Sequence, residues 1–197
     1  MFTGIIIDIG EIRKITKKDE DILLSIYSSN IKEFTHGMSI SCSGVCLTVI
    51  NFKKNGKGYT FDVYVSKETL SKTNLGNLTE GDFINLEKSL SLGDEMSGHI
   101  VQGHIDGIVR VKNIESIGES KKFCFALDGD LMKFIAPKGS VSLDGTSLTV
   151  NNVTHSQFEI NFIPYTLDHT TWKYRNVGDS VNLEVDILAR YVLKSNG

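Results

Sequence analysis

No stretch of this chain is apolar for anything near the roughly 18 residues a membrane span needs. There is no excess of basic charge: 21 Lys and Arg stand against 24 Asp and Glu, which argues against a general nucleic-acid surface. Met1-Phe2-Thr3-Gly4 has neither the basic nor the apolar region of a secretion signal. The three cysteines, Cys42, Cys46 and Cys124, are an odd number without framework spacing, so free thiols in a cytoplasmic chain are expected. Cys42 and Cys46 have no second close-spaced pair to complete a metal set, and no metal is expected. Neither a Gly-x-Ser-x-Gly elbow nor a phosphate loop is found.

What the chain does contain, it contains twice. Ser43-Gly44-Val45-Cys46-Leu47-Thr48-Val49 is echoed by Asp144-Gly145-Thr146-Ser147-Leu148-Thr149-Val150. Downstream, Glu68-Thr69-Leu70 is answered by Tyr165-Thr166-Leu167, Gly81-Asp82 by Gly178-Asp179, and Asn85-Leu86-Glu87 by Asn182-Leu183-Glu184. These pairs share one offset, since 166 − 69, 178 − 81 and 182 − 85 all equal 97. Upstream, Gly4-Ile5-Ile6 answers Gly103-His104-Ile105 at a slightly different spacing. A period this long is a duplicated domain rather than a solenoid repeat.

The dominant hydrophobic period is two. Phe61, Val63 and Val65 alternate with Asp62 and Tyr64, Phe158, Ile160 and Phe162 with Glu159 and Asn161, and Val181, Leu183 and Val185 with Asn182, Glu184 and Asp186. Such alternation marks strands buried on one face. Further strands are expected near residues 4–15, 22–27, 38–42, 45–52 and 83–88, then 108–114, 123–127, 140–143 and 148–153. Short strands punctuated by Gly, Asn and Asp predict an all-β chain with a small barrel in each half. Single helical turns are expected at 66–70, 130–134 and 164–167. A helix is expected over 187–193, where Ile187, Leu188, Tyr191 and Val192 form an apolar stripe. The linker lies around residues 91–98.

Two sets of residues could carry chemistry. The junction Ser97-Gly98-His99-Ile100-Val101-Gln102-Gly103-His104-Ile105 holds two Gly-His pairs. They read either as a tight crossover with incidental histidines or as acid/base and ligand contacts at the seam. Cys46 and Ser147 hold the same place in the two copies, each either a nucleophile or a small residue lining a pocket. On a strand, Thr48 and Thr149 share their face. Two similar barrels with two similar sites suit a protein that brings two similar flat molecules together.

Met1-Phe2-Thr3-Gly4-Ile5-Ile6, Gly44-Val45-Cys46-Leu47-Thr48-Val49, Ser97-Gly98-His99 with Gly103-His104, Asp144-Gly145-Thr146-Ser147-Leu148-Thr149-Val150, and Asn182-Leu183-Glu184-Val185-Asp186 together resemble the riboflavin synthase family of the alpha-chain type, over essentially the whole chain. The resemblance implies two six-stranded Greek-key β-barrels in tandem, over 1–97 and 98–186, and a short trimerisation helix over 187–197. It implies dismutation of two 6,7-dimethyl-8-ribityllumazine molecules, without cofactor, in a homotrimer whose reaction pocket lies between the first barrel of one subunit and the second barrel of its neighbour. Association with lumazine synthase is a further partner it suggests. By the same resemblance, the first pocket would use Gly4, Ile5, Ile6, Cys46, Leu47, Thr48, Tyr64, Val65, Ser66, Lys67, Glu68 and Thr69. The second would use Gly103, His104, Ile105, Lys138, Ser147, Leu148, Thr149, Asn161, Phe162, Ile163, Pro164, Tyr165 and Thr166. Ser39, Cys46, His104, Asp144, Ser147, Thr149 and Asp186 match positions discussed for catalysis. Residues 65–67 depart from the usual pattern. The rival reading is a non-catalytic relative that carries one lumazine or flavin as a chromophore. Both Leu-Thr-Val copies, Cys46 and His104 are intact, which favours the enzyme.

Overall fold

A computed structural model describes residues 1–127 and 129–195. The first half folds as β1 (Asp8–Lys18), β2 (Asp21–Ser28), β3 (Ser39–Cys42), β4 (Val45–Asn55), β5 (Gly58–Val65), a short helix α1 (Lys67–Lys72) and β6 (Phe83–Lys88). The strands close into a barrel in the order β1-β2-β5-β4-β3-β6, all antiparallel. This is the expected Greek key. The alternating residues fill it: Phe61, Val63 and Val65 are fully buried beside Ile12, Leu24 and Ile40.

The second half repeats the plan with β7 (Gly107–Ile117), β8 (Ser120–Ala126), β9 (Ser140–Leu143), β10 (Thr146–Thr149), β11 (Asn152–Val153), β12 (Gln157–Phe162), α2 (Pro164–His169) and β13 (Ser180–Val185). Its order is β10-β9-β13-β7-β8-β12-β11. Here the expected strand over 148–153 is broken. Its two pieces, β10 and β11, lie at opposite ends of the sheet, so the circle is interrupted only at Val150-Asn151. The matching place in β4 has a bulge between Val49 and Asn51, so the same irregularity is deeper in the second copy. A second pair of bulges, at Ile12/Lys14 and Val111/Asn113, falls at equivalent places in β1 and β7. The second core is the more aromatic. Trp172 packs edge-on against Phe123 and Phe125 and donates its indole N–H to Thr146 Oγ1 at 3.0 Å.

Residues 4–7 are not part of β1, contrary to the sequence expectation. They leave their own barrel to meet the other one. Phe2, fully buried, pairs with Val101 through two backbone hydrogen bonds of 2.7 and 3.1 Å. The two segments ahead of the barrels thus run side by side, antiparallel, and each crosses over. The crossing is reciprocal: Cys46 N donates to Gly103 O at 2.9 Å, and Ser147 N donates to Gly4 O at 2.8 Å.

Between the barrels the same reciprocity recurs in buried polar groups. Asn85 on β6 donates to Asp144 O at 2.9 Å and accepts from Thr171 N at 2.8 Å. Asn182 on β13 donates to Ser43 O at 2.9 Å and accepts from Asn74 N at 2.7 Å. Each amide, fully buried, is thereby satisfied across the seam. The backbones of Gly44 and Gly145 touch where a side chain on either would collide with the other. The contacts on either side of these glycines thus mirror one another in pairs.

One interaction breaks that symmetry. Asp144, fully buried, accepts from Asn182 N and Asn74 Nδ2 and pairs with Arg175 Nη2 at 2.5 Å. The corresponding residues of the first copy are Ser43 and Leu78, where no ion pair is possible.

The chain ends in α3 (Ile187–Ser195). Asp186 caps it, accepting from Leu188 N at 2.9 Å, and Arg190 pairs with Asp106 at the base of β7. Among the described residues no helix is long and apolar enough to cross a membrane.

Candidate functional site

The strand β4 begins with Val45-Cys46, and the turn of β3 into β4 puts Cys46 at the barrel's rim. Helix α1 overhangs it. Ser66 caps this helix by accepting from Thr69 N at 3.2 Å, which fixes the direction of Glu68, Thr69 and Lys72. The remaining wall is Gly103-His104-Ile105 from the other half. These residues enclose a recess of about 210 Å³, lined also by Val45 and Thr73. Ile105 packs against the hydrophobic core of the first barrel, although it lies beyond the linker.

The grouping of the expected site residues therefore differs from the sequence expectation in one respect. Gly103, His104 and Ile105 stand beside Cys46, not Ser147, and Gly4 stands beside Ser147, not Cys46. At Cys46 and at Ser147 alike, the strand of one half meets the crossing segment of the other. Close approach enforces this. Gly103 has φ +81°, and a Cβ there would lie 2.5 Å from Cys46 Cβ. Gly4 has φ +78°, and a Cβ there would lie 2.6 Å from Ser147 Cβ. Only glycine fits such a contact with a left-handed backbone.

The equivalent position in the second half, Ser147, has its own chemistry. His99 Nδ1 lies 2.7 Å from Ser147 Oγ. Burial pushes the imidazole below its ordinary pKa of 6.5, with the nearby Asp186 opposing the shift. A neutral His99 can take the Ser147 hydroxyl proton as a hydrogen bond, and Asp186 favours the charged imidazole should a proton pass to it. By the 97-residue offset, Tyr165, Thr166, His169 and Thr170 hold the places that Glu68, Thr69, Lys72 and Thr73 hold around the first pocket. Tyr165 is exposed and stacks on His169 with ring centroids 4.0 Å apart.

The other expected residues divide by burial. Ser39 and Thr48 face each other on β3 and β4 as Ser140 and Thr149 do on β9 and β10, with both threonines exposed at the rims. Leu47, Leu148, Val65 and Phe162 point into the cores instead of a pocket. Tyr64, Ser66, Lys67, Asn161, Ile163 and Pro164 are exposed at strand ends and helix starts. Ile5 is exposed and Ile6 half-buried on the crossing segment. Lys138 sits in a turn with φ +68°, where the first copy has Gly37. Asp144 belongs to the seam network rather than to either recess. Among the described residues no three of His, Cys, Asp or Glu gather as a metal-binding group.

Two residues with no role in the sequence reading stand behind the site. Glu87 and Glu184, both 4% exposed, accept among the described residues only from the crossing segments. Glu87 takes Thr3 N at 2.7 Å, Thr3 Oγ1 at 2.8 Å and Gly4 N at 3.0 Å. Glu184 takes Gln102 N at 2.6 Å, Gly103 N at 2.8 Å and His104 N at 3.1 Å. The repeat Asn85-Leu86-Glu87 and Asn182-Leu183-Glu184 marks both positions in the sequence without announcing what they hold. Burial raises both carboxyl groups, Glu184 from 4.5 to about 7, with Asp106 adding to the shift and the backbone donors opposing it.

That shift has a sign. A carboxyl that binds its proton more tightly folded than unfolded favours the folded chain fully below pH 4.5, and this contribution is lost as pH rises through about 7. The melting-temperature difference between the wild type and Glu184→Gln should therefore fall across that window. A difference constant from pH 4.5 to 7.5 would contradict the shift.

A family model described as "Lumazine binding domain" matches residues 3–89 and 102–186. A riboflavin synthase of Brucella abortus (strain 2308) is 44% identical over 196 residues, covering 98% of this chain and 97% of that protein. One from Bacillus subtilis (strain 168) is 36% identical, covering 98% and 89%. Among solved structures, LumP complexed with riboflavin superposes with a TM-score of 0.82 at 23% identity, covering 94% of this chain and 99% of that one. LumP complexed with 6,7-dimethyl-8-(1'-D-ribityl) lumazine gives 0.79, also at 23% identity and the same coverage, so the LumP likeness speaks for the fold alone.

Proposed function

The chain belongs to the riboflavin synthase family, and on that footing we propose that it catalyses the dismutation of 6,7-dimethyl-8-ribityllumazine. One molecule passes a four-carbon unit to a second. The products are riboflavin and 5-amino-6-ribitylaminouracil. The observation that carries this reading is the pair of equivalent positions at Cys46 and Ser147, alike in backbone and each met by the crossing segment of the other half of the chain, with a recess at Cys46. A reaction between two copies of one molecule needs two related sites.

The 7-methyl group of the lumazine is acidic because its carbanion delocalises into the ring, so the protein supplies proton transfer and orientation. Holding two rings face to face contributes on the order of 7–11 kcal/mol through effective molarity. His104 is the proton-transfer candidate of the first pocket, and Cys46 beside it is placed to assist addition to the donor ring. Ser147 with His99 and Asp186 is the corresponding group of the second pocket. Polar groups aimed at developing charge add to the effect. Residues 1–97 and 98–186 are the two lumazine-binding units.

We assign α3 to assembly. Leu188, Tyr191 and Val192 are 61%, 65% and 58% exposed on a helix of nine residues, an apolar face that nothing covers among the described residues. A homotrimer held by this helix would bring the first barrel of one subunit against the second barrel of the next. The recess at Cys46 is shallow, as a half-site completed by a neighbouring subunit would be. A cytoplasmic enzyme with lumazine synthase as a partner completes the proposal.

The test is direct. Purified protein mixed with the lumazine should develop riboflavin absorbance in proportion to enzyme, with one riboflavin formed for every two lumazines consumed. Tight binding without conversion would assign the chain to the chromophore carriers.

A further inference from the structure

We propose that Glu87 and Glu184 are positioning residues that act across the seam, each fixing the segment that walls the other barrel's pocket. The proposal rests on reading the Cys46 recess and the equivalent Ser147 position as the two lumazine sites. Glu184 is on the last strand of the second barrel, yet of the segment it holds, Gln102–His104, the residues Gly103 and His104 wall the first pocket. Glu87 is on the last strand of the first barrel, yet it holds Thr3-Gly4, whose carbonyl receives Ser147 N in the second.

The physical reason lies in the backbone of the crossing segments. Thr3-Gly4 and Gln102–His104 belong to no strand or helix, so their N–H groups have no ladder partner. Each is nevertheless pressed against the opposite barrel, where an unsatisfied donor would be costly. A carboxylate with two oxygens can take several donors at once, and hydrogen bonds to a charged acceptor are short and strong. Neither glutamate accepts from a strand of its own sheet among the described residues, so neither serves the barrel that carries it. With Glu184 in place, the backbone N–H of His104 is fixed at 3.1 Å from the carboxylate and the Gly103 carbonyl faces Cys46. The imidazole of His104 hangs from that anchored backbone.

The test uses the thiol of Cys46 as a reporter of the first pocket. Iodoacetamide alkylation is followed by mass spectrometry, with fragmentation separating Cys46 from the buried Cys42 and from Cys124. Rates are compared on the high-pH plateau, where the thiol is fully ionised and the charge change alone has no effect. Glu184→Gln should raise the Cys46 rate about fivefold or more, as expected when hydrogen bonds that hold a local segment are lost. Glu87→Gln, although in the same barrel as Cys46, should leave it at the wild-type value. In a Cys46→Ser, Ser147→Cys background the pattern should reverse, with Glu87→Gln speeding alkylation at the second pocket and Glu184→Gln not doing so. Glu184→Asp, which keeps the charge one methylene short, should fall between, and it carries the test if the glutamine variant does not fold. Acceleration of Cys46 by Glu87→Gln, by both variants alike, or by neither would overturn the proposal. Labelling needs no substrate, so a chain that fails to convert lumazine would sink the functional reading and leave this result standing.

Discussion

Asp144→Ala is expected to destabilise the protein by about 3–5 kcal/mol, the range for removing one partner of a buried ion pair. Asp144 is fully buried, and the Arg175 side chain is only 22% exposed. Removing the carboxylate strands a guanidinium that its charge was stabilising, and it deprives Asn182 N and Asn74 Nδ2 of their shared acceptor. The loss should appear as a lower denaturant midpoint at an unchanged slope. The first copy of the repeat shows how to undo it. At the equivalent seam position Ser43 stands for Asp144 and Leu78 for Arg175, and Ser43 Oγ accepts from Asn85 N at 3.2 Å as Asp144 accepts from Asn182 N. The double replacement Asp144→Ser, Arg175→Leu should thus recover most of the stability, because a buried pair replaced by a matched uncharged pair is often close to neutral. If the single change cost less than about 1 kcal/mol, in the range of exposed pairs, the guanidinium would have to be finding water instead.

Leu188→Glu with Val192→Glu should abolish turnover while leaving both barrels folded. These side chains lie on the exposed apolar face of α3. A helix of nine residues is marginal alone and needs a packing partner. Two charges on that face would prevent its burial against other copies. Light scattering should then report a monomer, and calorimetric titration should still find ligand bound in each barrel. Conversion should fall on the order of a hundredfold or more, since the two rings would no longer be held together. For the same reason the specific activity of the wild type should fall on dilution. Full activity from a species that scatters as a monomer would exclude a site shared between subunits.

The duplication was legible because seven residues around each of Cys46 and Ser147 are held by the same strand and turn, and local geometry writes itself into local sequence. Period-two alternation gave the strands for the same reason: Phe158, Ile160 and Phe162 must all face one core. The offsets carried more than was apparent. The 97-residue spacing belongs to the stretch from α1 to the last strand, and the spacing of 101 between Cys46 and Ser147 belongs to the β3–β4 unit. What was not legible is which half supplies which wall. Gly4 lies close in sequence to β1, and nothing in Gly4-Ile5-Ile6 says that the backbone leaves its own barrel to touch Ser147. Glu87 and Glu184 were equally hidden. In an alternating strand they read as outward, solvated positions, and their backbone donors lie 80 or more residues away, which no side-chain pattern announces.

The crossing of the segments also has a consequence in time. Phe2 pairs with Val101, Gly4 with Ser147, and Ser43 with Asn182. The first sheet needs nothing beyond Lys88 to close, whereas its recess has no wall until Gly103 has been made. The second recess needs the opposite, a stretch of chain made long before its own strands. Contacts so distant along the chain form late, after the entropy of closing large loops has been met. Each sheet can therefore mature on its own schedule, but the two recesses are completed only in the docking step that joins them, so a half-folded chain holds two barrels and no finished site.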